Sequence, residues 1–401
     1  MKKNLSLICQ VFYPDDQATS ILFSDLMRSL SKDYKIKVFS GYPSTSARSL
    51  KDQKIVKYEK YESFEVIRCG LKIDPKSGLF NRALSYLSFN IEVLFRVIFL
   101  KDSKLMGVTN PFSNLWIMAL AKIFNSNENI YVFLDIYPEG LIALGNLKQN
   151  SIFARCWIFL NQISLKMIDK VIVIGRDMFN VLEKYDVEHK ISYIPHWSSI
   201  KPKKPLSFKD SKFINERKLQ NKFIIQYSGN MGLWHDMDTY IRCAAKTMDK
   251  NKITYNFIGG GIKREHSEKL TNQLGLKNVS WFDFVDLEDL DQSLAACHLS
   301  LISLNNNLEG VAVPSKLYGI LASGRPIVAS VPKDSEIALT INEHKCGFVV
   351  DPGDDEKLSE IIVDCYQNKY DLEKMSENSF NAFSSSYTVD AVIDEFRNVI
   401  N

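Results

Sequence analysis

The chain has 401 residues, of which 45% are hydrophobic and 24% are charged, and its net charge is +3. This length exceeds one ordinary hydrophobic core, so we expect at least two domains. The small net charge gives no case for a nucleic-acid partner, and we predict none.

The cysteine pattern excludes a disulfide framework. The sequence contains seven cysteines, an odd number, and no two of them form a CxxC pair. Scattered cysteines of this kind are typical of buried thiols in a reducing compartment, so we predict a cytoplasmic protein. No His/Cys cluster has metal-ligand spacing, so we predict no metal and no cofactor.

The first half alternates short apolar runs with helical stretches. The basic and apolar N-terminus is too short for a signal peptide and is predicted as a strand. Other apolar runs of this half predict further strands. With the N-terminal one, the predicted strands are Leu5–Phe12, Ile36–Phe39, Glu65–Arg68, Leu105–Val108, Ile130–Leu134 and Val171–Ile174. Such runs favour a parallel sheet covered by helices on both faces.

The alternation lapses between Ser198 and Lys222, where prolines and lysines replace the apolar runs. High charge without periodicity predicts a basic linker at residues 199–222. Strands then resume at Phe223–Tyr227, Thr254–Ile258, Ser280–Phe282, Leu299–Ile302, Ile327–Ala329 and Gly347–Val350. The sequence therefore predicts domains at 1–198 and 223–379, followed by a helix at 380–401 that packs back on the first domain.

Three loops of the second half follow directly on strands, where open α/β sheets bind ligands. The first is Ser228–Gly232, and the second is Gly259–Gly261 with Lys263. The third runs from Glu309 through Pro314, Ser315 and Lys316 into a short helix closed by Gly324 and Pro326. Glycine amides with a cation and a carboxylate suit a charged, hydroxylated ligand. Plain turns, or a βαβ connection with an incidental lysine, are the alternatives.

In this order the motifs resemble those of the family-four retaining glycosyltransferases of bacterial polysaccharide assembly, also called glycosyl transferases group 1. The matching segments cover almost the whole chain: Tyr13–Ser20, Gly41–Pro43, Asp135–Glu139, Ile194–Trp197, Tyr227–Gly232, Phe257–Gly261 and Val313–Tyr318. The resemblance implies a GT-B fold, with two Rossmann-like parallel-sheet domains that face a central cleft. It also implies transfer of a sugar from a nucleotide-sugar donor, UDP- or GDP-linked, with retention and without a metal.

The resemblance implies a role for each matching position. Lys316 and the Gly229–Gly232 amides would stabilise the departing diphosphate, and Glu309 would orient the sugar. The donor side would further include Gly229, Asn230, Gly232, Gly260, Gly261, Lys263, Val313, Pro314, Ser315 and Leu317.

The acceptor side has no histidine in the central loops of the first domain. Asp135 is the candidate catalytic carboxylate there, and Asp15, Asp16, Thr19 and His196 are the other acceptor-side candidates. Asp15 and Asp16 are alternatively helix-start residues, which aspartate favours. A hinge hydrogen bond is the alternative for His196, and His235 is a further candidate base on the donor side.

Two positions depart from the family pattern. Gly319 stands where a ribose-binding glutamate is expected, and Leu233 stands where an arginine is expected. Lys316, Lys263 or Arg325 could compensate for the missing arginine. These departures favour one rival hypothesis, a non-catalytic binding subunit. A GT-B nucleotide-sugar epimerase or hydrolase is the other rival, and the lack of histidines in the central loops of the first domain argues against it.

The segment from Arg82 to Lys101 is apolar with cations at both ends. Such a segment can lie in a bilayer interface, and a packed helix of the first domain is the alternative. A glycan or polyprenyl-linked acceptor would accord with peripheral attachment at the inner face of the plasma membrane.

Overall fold

The computed structural model describes residues 2–15, 17–43, 56–73, 78–101 and 103–401. The chain forms two compact units. Unit 1 contains residues 1–195 and 389–401, and unit 2 contains residues 196–388. Each unit is an α/β domain with a mainly parallel sheet and its own hydrophobic core.

The described part of unit 1 contains an eight-stranded sheet in the order β3-β4-β2-β1-β5-β6-β7-β8. Every neighbouring pair is parallel except β3 and β4, which form an antiparallel hairpin at one edge. The strands are β1 (Lys3–Ile8), β2 (Tyr34–Ser40), β3 (Tyr58–Tyr61), β4 (Phe64–Arg68), β5 (Ser103–Val108), β6 (Glu128–Phe133), β7 (Lys170–Val173) and β8 (Ile191–Tyr193). The central strands are buried runs, as expected of a sheet covered on both faces.

Helices connect these strands and include the last helix of the chain. They are α1 (Ala18–Leu30), α2 (Leu79–Ile98), α3 (Asn114–Lys122), α4 (Glu139–Ala143), α5 (Ile152–Met167), α6 (Met178–Leu182) and α15 (Val389–Ile400). α15 packs on α1. The Tyr34 hydroxyl donates to the side-chain oxygen of Asn401 at 2.7 Å, and Arg397 pairs with Asp33 at 2.8 Å. The C-terminal helix thus belongs to unit 1.

Unit 2 contains a six-stranded parallel sheet in the order β11-β10-β9-β12-β13-β14. The strands are β9 (Phe223–Ser228), β10 (Ile253–Ile258), β11 (Val279–Phe282), β12 (Leu299–Ser303), β13 (Ile327–Ser330) and β14 (Gly347–Val350). Its helices are α7 (Lys212–Glu216), α8 (Asp238–Lys246), α9 (Arg264–Gln273), α10 (Leu290–Leu294), α11 (Lys316–Ala322), α12 (Glu336–His344), α13 (Asp355–Tyr366) and α14 (Leu372–Ser386).

Two predicted boundaries differ from the structure. The predicted linker at 199–222 lies inside unit 2, because Phe213 and Ile214 of α7 are buried in a core cluster beside β9. Arg325 donates a hydrogen bond to the carbonyl of Leu206, which fixes this basic segment further. The burial of these two apolar side chains therefore places the segment in unit 2, although the segment is rich in lysine.

The predicted helix at 380–401 is two helices, α14 and α15, separated at Tyr387 and Thr388. The carbonyl of Tyr387 accepts a hydrogen bond from the Ser198 amide at 2.9 Å. Only α15 joins unit 1, while α14 stays with unit 2. The first strand is also shorter than predicted, because it ends at Ile8 and not at Phe12.

Candidate functional site

The candidate donor site lies at the carboxyl edge of the unit 2 sheet. The three predicted loops follow β9, β10 and β12, and these strands are neighbours in the order β10-β9-β12. Because the strands are parallel, the loops that follow them emerge side by side. The sheet order therefore brings together the three segments that the sequence singles out.

The first two loops are bound to each other through their backbones. The Gly229 amide donates to the Ile258 carbonyl at 2.9 Å, and the Met231 amide donates to the Gly260 carbonyl at 2.7 Å. The Gly232 amide donates to Nδ1 of His235 at 3.1 Å. These three N–H groups therefore donate to protein acceptors in this structure, and the expectation that the Gly229–Gly232 amides face a leaving group stays a prediction.

Glycines are required where the two loops touch. A Cβ on Gly259, whose φ is +128°, would lie 2.1 Å from the Gly229 carbonyl oxygen. A Cβ on Gly261, whose φ is +132°, would lie 2.6 Å from both the Asn230 side-chain oxygen and the Met231 carbonyl oxygen. A side chain at Gly260 would crowd Phe284 at 3.2 Å. The glycine pattern thus reflects a close approach between the two loops.

Lys316 lies at the start of α11 and points back over the first loop. Its ammonium donates to the Tyr227 hydroxyl and lies 3.7 Å from the centroid of the Tyr227 ring. It also lies 3.5 Å from the Asn230 carbonyl and 3.6 Å from the position that a Cβ on Gly229 would occupy. The Tyr227 hydroxyl donates to the same carbonyl at 2.8 Å. Tyr227 therefore fixes the ammonium beside Gly229, partly through a cation–π contact.

Burial controls the charge of this cluster. Desolvation lowers the pKa of Lys316 to about 7. Burial, reinforced by the charges of Lys316 and Lys263, lowers the pKa of His235 well below its usual value. His235 is therefore neutral, and since Nδ1 accepts the Gly232 amide proton, its own proton sits on Nε2.

Two cations at this edge have no carboxylate partner among the described residues. Neither Lys316 nor Lys263 forms a salt bridge there, whereas Arg264 pairs with both Glu268 and Asp283. Lys263 donates to the His235 carbonyl at 2.5 Å, so it holds the loop that follows β9. The uncompensated positive charge favours an anion at this edge.

Glu309 is half-buried in the loop that follows β12, and its Oε2 is buried without a hydrogen-bond partner among the described residues. That loop is joined to the loop after β9: the Asn305 amide donates to the Trp234 carbonyl, and its side-chain nitrogen donates to the Leu233 carbonyl, both at 2.9 Å. A buried carboxylate oxygen normally has a donor. Glu309 can therefore accept a hydrogen bond from a ligand hydroxyl.

The remaining donor-side candidates surround Lys316 with different exposures. Ser315 is exposed, Pro314 is half-buried and Val313 is buried. The Leu317 side chain is fully buried and its amide donates to the Pro314 carbonyl at 3.2 Å, so it supports the helix start. Gly319, where a glutamate is expected, has room for a side chain: the nearest atom to an added Cβ is Cδ1 of Leu294 at 3.5 Å.

The carboxyl edge of unit 1 carries Asp135, directly after β6. The carboxylate is half-buried and accepts no hydrogen bond from a described residue, and burial raises the pKa of Asp135 to about 7. Its neighbour Leu134 is fixed, because the Leu134 amide donates to the Thr109 hydroxyl at 3.1 Å. A carboxyl group with this pKa can exchange a proton near neutral pH.

The other acceptor-side candidates are dispersed. Asp15 is buried in the loop before α1, and Thr19 is half-buried in the first turn of α1. Asp16 lies outside the described residues. His196 belongs to unit 2, where its ring packs edge-on against Tyr318 with centroids 6.1 Å apart, and burial lowers the pKa of His196 to about 4. His196 is therefore a neutral, packed imidazole of unit 2.

Sequence reasoning missed the roles of Tyr227 and Arg68. The sequence places Tyr227 at the end of a strand and at the start of the Tyr227–Gly232 segment but predicts no role for its side chain, although an aromatic residue directly before a glycine loop is a usable signal. Arg68 is fully buried in unit 1 and donates to the Tyr13 carbonyl at 2.6 Å, to Glu59 at 2.8 Å and to the Gly41 carbonyl at 3.4 Å. It therefore joins the loops that follow β1 and β2.

The described ranges contain neither a metal-ligand cluster nor a membrane-spanning helix. No cluster of three or more His, Cys, Asp or Glu side chains there could hold a metal ion. Within the same ranges, no helix has both the length and the apolar character needed to cross a membrane. Six of the seven cysteines are buried as predicted, while Cys156 on α5 is exposed.

Comparison with known proteins connects this site to a family. Residues 208–382 match the family model described as glycosyl transferases group 1. The probable glycosyltransferase WbjE of Pseudomonas aeruginosa is 28% identical over 292 residues, which are 72% of each chain. The putative colanic acid biosynthesis glycosyl transferase WcaI of Escherichia coli K12 is 25% identical and covers 70% of this chain and 71% of its own.

Solved structures share the fold. The crystal structure of Anabaena HepE in complex with UDP-glucose superposes with a TM-score of 0.71 at 13% identity, and the alignment covers 99% of both chains. The matched model spans all three loops of the candidate donor site. This chain therefore has the two-domain fold of the GT-B glycosyltransferases, and its residues 208–382 are similar to the glycosyl transferases group 1 family.

Proposed function

We propose that this protein transfers a sugar, with retention of anomeric configuration, from a nucleotide-sugar donor to a glycan or lipid-linked acceptor. The observation that carries the proposal is the placement of Lys316, an ammonium without a described carboxylate partner, on Tyr227 beside Gly229. An anion at this edge would meet a cation that is already oriented. Hexosyl and N-acetylhexosaminyl transfer are both compatible with this site.

Lys316 serves the departing diphosphate. As the bond between the anomeric carbon and the diphosphate oxygen breaks, negative charge collects on that oxygen, and an oriented ammonium stabilises it. Because the pKa of Lys316 is about 7 in the free chain, arrival of the diphosphate also favours the charged form of the lysine. Asn230 and Gly232, which lie beside it, are uncharged. They shape the loop, while Lys316 supplies the positive charge.

Glu309 serves the sugar. Its buried Oε2 has no described partner, and a sugar hydroxyl would supply the missing donor. The geometry accordingly favours a polyhydroxylated ligand over a simple phosphate compound.

Asp135 of unit 1 serves the acceptor. The acceptor hydroxyl oxygen forms the new bond to the anomeric carbon, and its proton passes to a base. A carboxylate whose pKa is raised to about 7 is suited to take that proton near neutral pH. The proposed retention requires the acceptor to attack on the face from which the diphosphate departs.

The biological setting follows from the relatives and is also part of the proposal. WcaI is described as a colanic acid biosynthesis enzyme, so we assign this chain to cell-surface polysaccharide synthesis in the cytoplasm. HepE was crystallised with UDP-glucose, which supports a UDP-linked donor, with GDP as the alternative base. We propose that no metal takes part.

A two-step experiment tests the proposal. Thermal unfolding is first measured with UDP-, GDP-, ADP- and dTDP-sugars, with and without EDTA, and we expect one nucleotide class to raise Tm in both conditions. Release of nucleoside diphosphate is then measured with and without a glycan acceptor. Acceptor-dependent release supports a transferase. Release without an acceptor indicates a hydrolase or epimerase, and binding without release indicates a non-catalytic subunit, to which Gly319 and Leu233 also point.

A further inference from the structure

Three helices of unit 1 expose an unusual amount of apolar surface. α3 packs against both α2 and α5, so the outer sides of the three helices adjoin one another. We call this surface the apolar face, and its main side chains are Ile91 and Phe95 of α2, Ile123 and Phe124 after α3, and Phe153 and Phe159 of α5. Exposed apolar patches of this extent on soluble proteins mark interaction sites.

α5 exposes large apolar side chains on its outward side, in addition to the apolar residues Ala154, Trp157 and Leu165 on its packed side. Its packed side includes the polar residues Asn161 and Ser164, whereas Phe153 is 64% exposed and Phe159 is 59% exposed. A helix that only covers a core places its apolar stripe inward. The outward apolar side of α5 therefore calls for an apolar partner.

α2 adds a second outward stripe at helical spacing. Leu87, Ile91 and Phe95 follow one another at intervals of four residues and are all exposed, while Phe89, Val93 and Val97 pack inward. α2 is thus apolar on both its buried and its exposed sides. One side of α2 therefore packs in the first domain, as one prediction for Arg82–Lys101 has it. The opposite side is available for a bilayer interface, as the other prediction has it.

The charges around the apolar face are almost all positive. Five exposed cations lie on the three helices or next to them: Arg82, Lys101, Lys148, Arg155 and Lys166. The three helices contain one carboxylate, Glu92, which is paired with Arg96 and Lys57, and Asp169, shortly after α5, is paired with Lys122 of α3. Apolar side chains surrounded by lysine and arginine complement an anionic lipid surface, where headgroups meet the cations.

A second copy of the chain fits this face less well. Self-association through the same face would bring the exposed cations of both copies together, and like charges oppose such a contact. An anionic bilayer can cover the apolar side chains with lipid tails and pair the cations with its headgroups.

The apolar face continues to the carboxyl edge of unit 1. Phe153 contacts Trp157 with ring centroids 5.7 Å apart, and Trp157 contacts Phe112 at 4.4 Å. Phe112 reaches Tyr137 at 6.0 Å, and Tyr137 is near enough to Asp135 for that carboxylate to contribute to raising the pKa of Tyr137, after burial. A chain of aromatic rings thus connects the exposed surface to the proposed acceptor site.

We infer that unit 1 binds the surface of an anionic lipid bilayer through the apolar face, which places the Asp135 edge beside the membrane. An acceptor carried on a lipid would then reach Asp135 without leaving the bilayer. This role for the acceptor rests on the proposed function, whereas binding to the bilayer does not.

Cys156 provides a direct probe, because it is exposed on α5 while the other six cysteines are buried. The full chain, labelled at Cys156 with an environment-sensitive fluorophore, is titrated with vesicles of phosphatidylcholine containing phosphatidylglycerol, without any nucleotide. We expect a blue shift and a gain in intensity that weaken as salt is raised, and little change with pure phosphatidylcholine. Unlabelled protein should co-sediment with the same vesicles.

Matched variants distinguish binding through the apolar face from nonspecific adsorption to vesicles. Phe95→Ser with Phe153→Ser should weaken partitioning by about tenfold or more, since it removes two large apolar contacts. Leu287→Ser with Leu274→Ser, which changes exposed leucines of unit 2, should leave partitioning unchanged. Arg155→Gln with Lys166→Gln should weaken it by roughly fivefold per cation. Circular dichroism confirms that each variant is folded.

Three outcomes would overturn the inference: no binding to anionic vesicles, equal loss in the unit 2 control, or a stable dimer in sedimentation velocity that the Phe95/Phe153 variant abolishes. Activity on a soluble acceptor is measured separately. If the chain binds vesicles but transfers no sugar, only the proposed function is contradicted. If it transfers sugar but does not bind vesicles, only this inference is contradicted.

Discussion

The carboxyl edge of each sheet carries one ionisable group, a lysine in unit 2 and an aspartate in unit 1, and burial shifts the pKa values of the two groups to about the same value. In unit 2, burial lowers the pKa of Lys316 to about 7, and in unit 1 it raises the pKa of Asp135 to about 7. Desolvation penalises whichever form is charged, so it moves a lysine down and a carboxylate up. Each edge therefore carries a group that can gain or lose a proton near neutral pH.

The surroundings of the two groups differ. Lys316 rests on a scaffold of backbone hydrogen bonds between glycine loops, with Tyr227 beneath it. Asp135 has no described hydrogen-bond donor and adjoins aromatic rings that lead to an exposed apolar surface. The unit 2 edge thus suits the proposed binding of an anion at a fixed point, and the unit 1 edge suits the proposed transfer of a proton beside apolar side chains. One fold supports both because the chemistry lies in the loops.

The largest expected effect is on the unit 1 side. Asp135→Asn keeps the shape of the side chain and removes the base, so we expect the transfer rate to fall roughly 10²- to 10⁴-fold. Nucleotide affinity should stay unchanged, and kcat/KM for the acceptor in the unmodified protein should rise with pH through about 7. Steady-state kinetics over a pH series measure this, with Asp210→Asn as an exposed control. A loss of nucleotide binding instead of rate would contradict the assignment.

The same substitution should stabilise the fold at high pH. The folded pKa of Asp135 is raised above the usual 3.8, so its carboxylate costs stability as pH rises from about 4 through about 7. Asp135→Asn should therefore raise Tm at pH 8, and the gain should vanish near pH 4. Thermal unfolding at the two pH values checks the sign; a gain that grows toward low pH would show that burial is not the cause.

A smaller effect is expected in the glycine scaffold of unit 2. Gly259→Ala would place a Cβ 2.1 Å from the Gly229 carbonyl oxygen at a φ of +128°, so we expect a loss of about 3 kcal/mol in unfolding free energy and weaker nucleotide binding. Gly275→Ala is the matched control, because its φ is +62° and nothing lies within 4 Å of its added Cβ. That variant should lose only about 1 kcal/mol and bind normally. Urea denaturation and nucleotide titration compare the two.

The smallest effect concerns Gly319, the departure from the family pattern. It lies inside α11 at an ordinary helical φ, and an added Cβ meets Leu294 only at van der Waals distance. Gly319→Ala should therefore stabilise the protein by up to about 1 kcal/mol through helix propensity, with no change in nucleotide affinity. Reduced nucleotide affinity would indicate that the bare backbone at Gly319 is itself needed by the ligand.

The sequence predicts the strands and the donor-side loops well for a physical reason. Buried parallel strands must be short apolar runs, and loops that approach each other closely need glycine, so both leave local signals. The contact between Lys316 and Tyr227 joins positions 89 residues apart, and no local signal reveals it. The burial that shifts the pKa of Asp135 likewise depends on neighbours that only the fold assembles.

Domain boundaries were harder to predict because a few contacts decide them. Phe213 and Ile214 hold a lysine-rich segment in unit 2, although its composition is typical of a linker. One hydrogen bond from the Ser198 amide to the Tyr387 carbonyl accompanies the break between α14 and α15. Composition averages over such segments, whereas a pair of buried side chains or one backbone contact fixes where a domain ends.

The central claim is that Lys316 binds the diphosphate of the donor, and calorimetric titration with UDP and GDP tests it most directly. At pH 8, in two buffers of different ionisation enthalpy, we predict uptake of nearly one proton per nucleotide bound, since the free lysine is largely neutral and the bound one is charged. Lys316→Met should abolish the uptake and weaken binding roughly 10- to 100-fold, whereas Lys277→Gln should change neither. Equal affinity and equal proton uptake in the Lys316→Met variant would contradict the account.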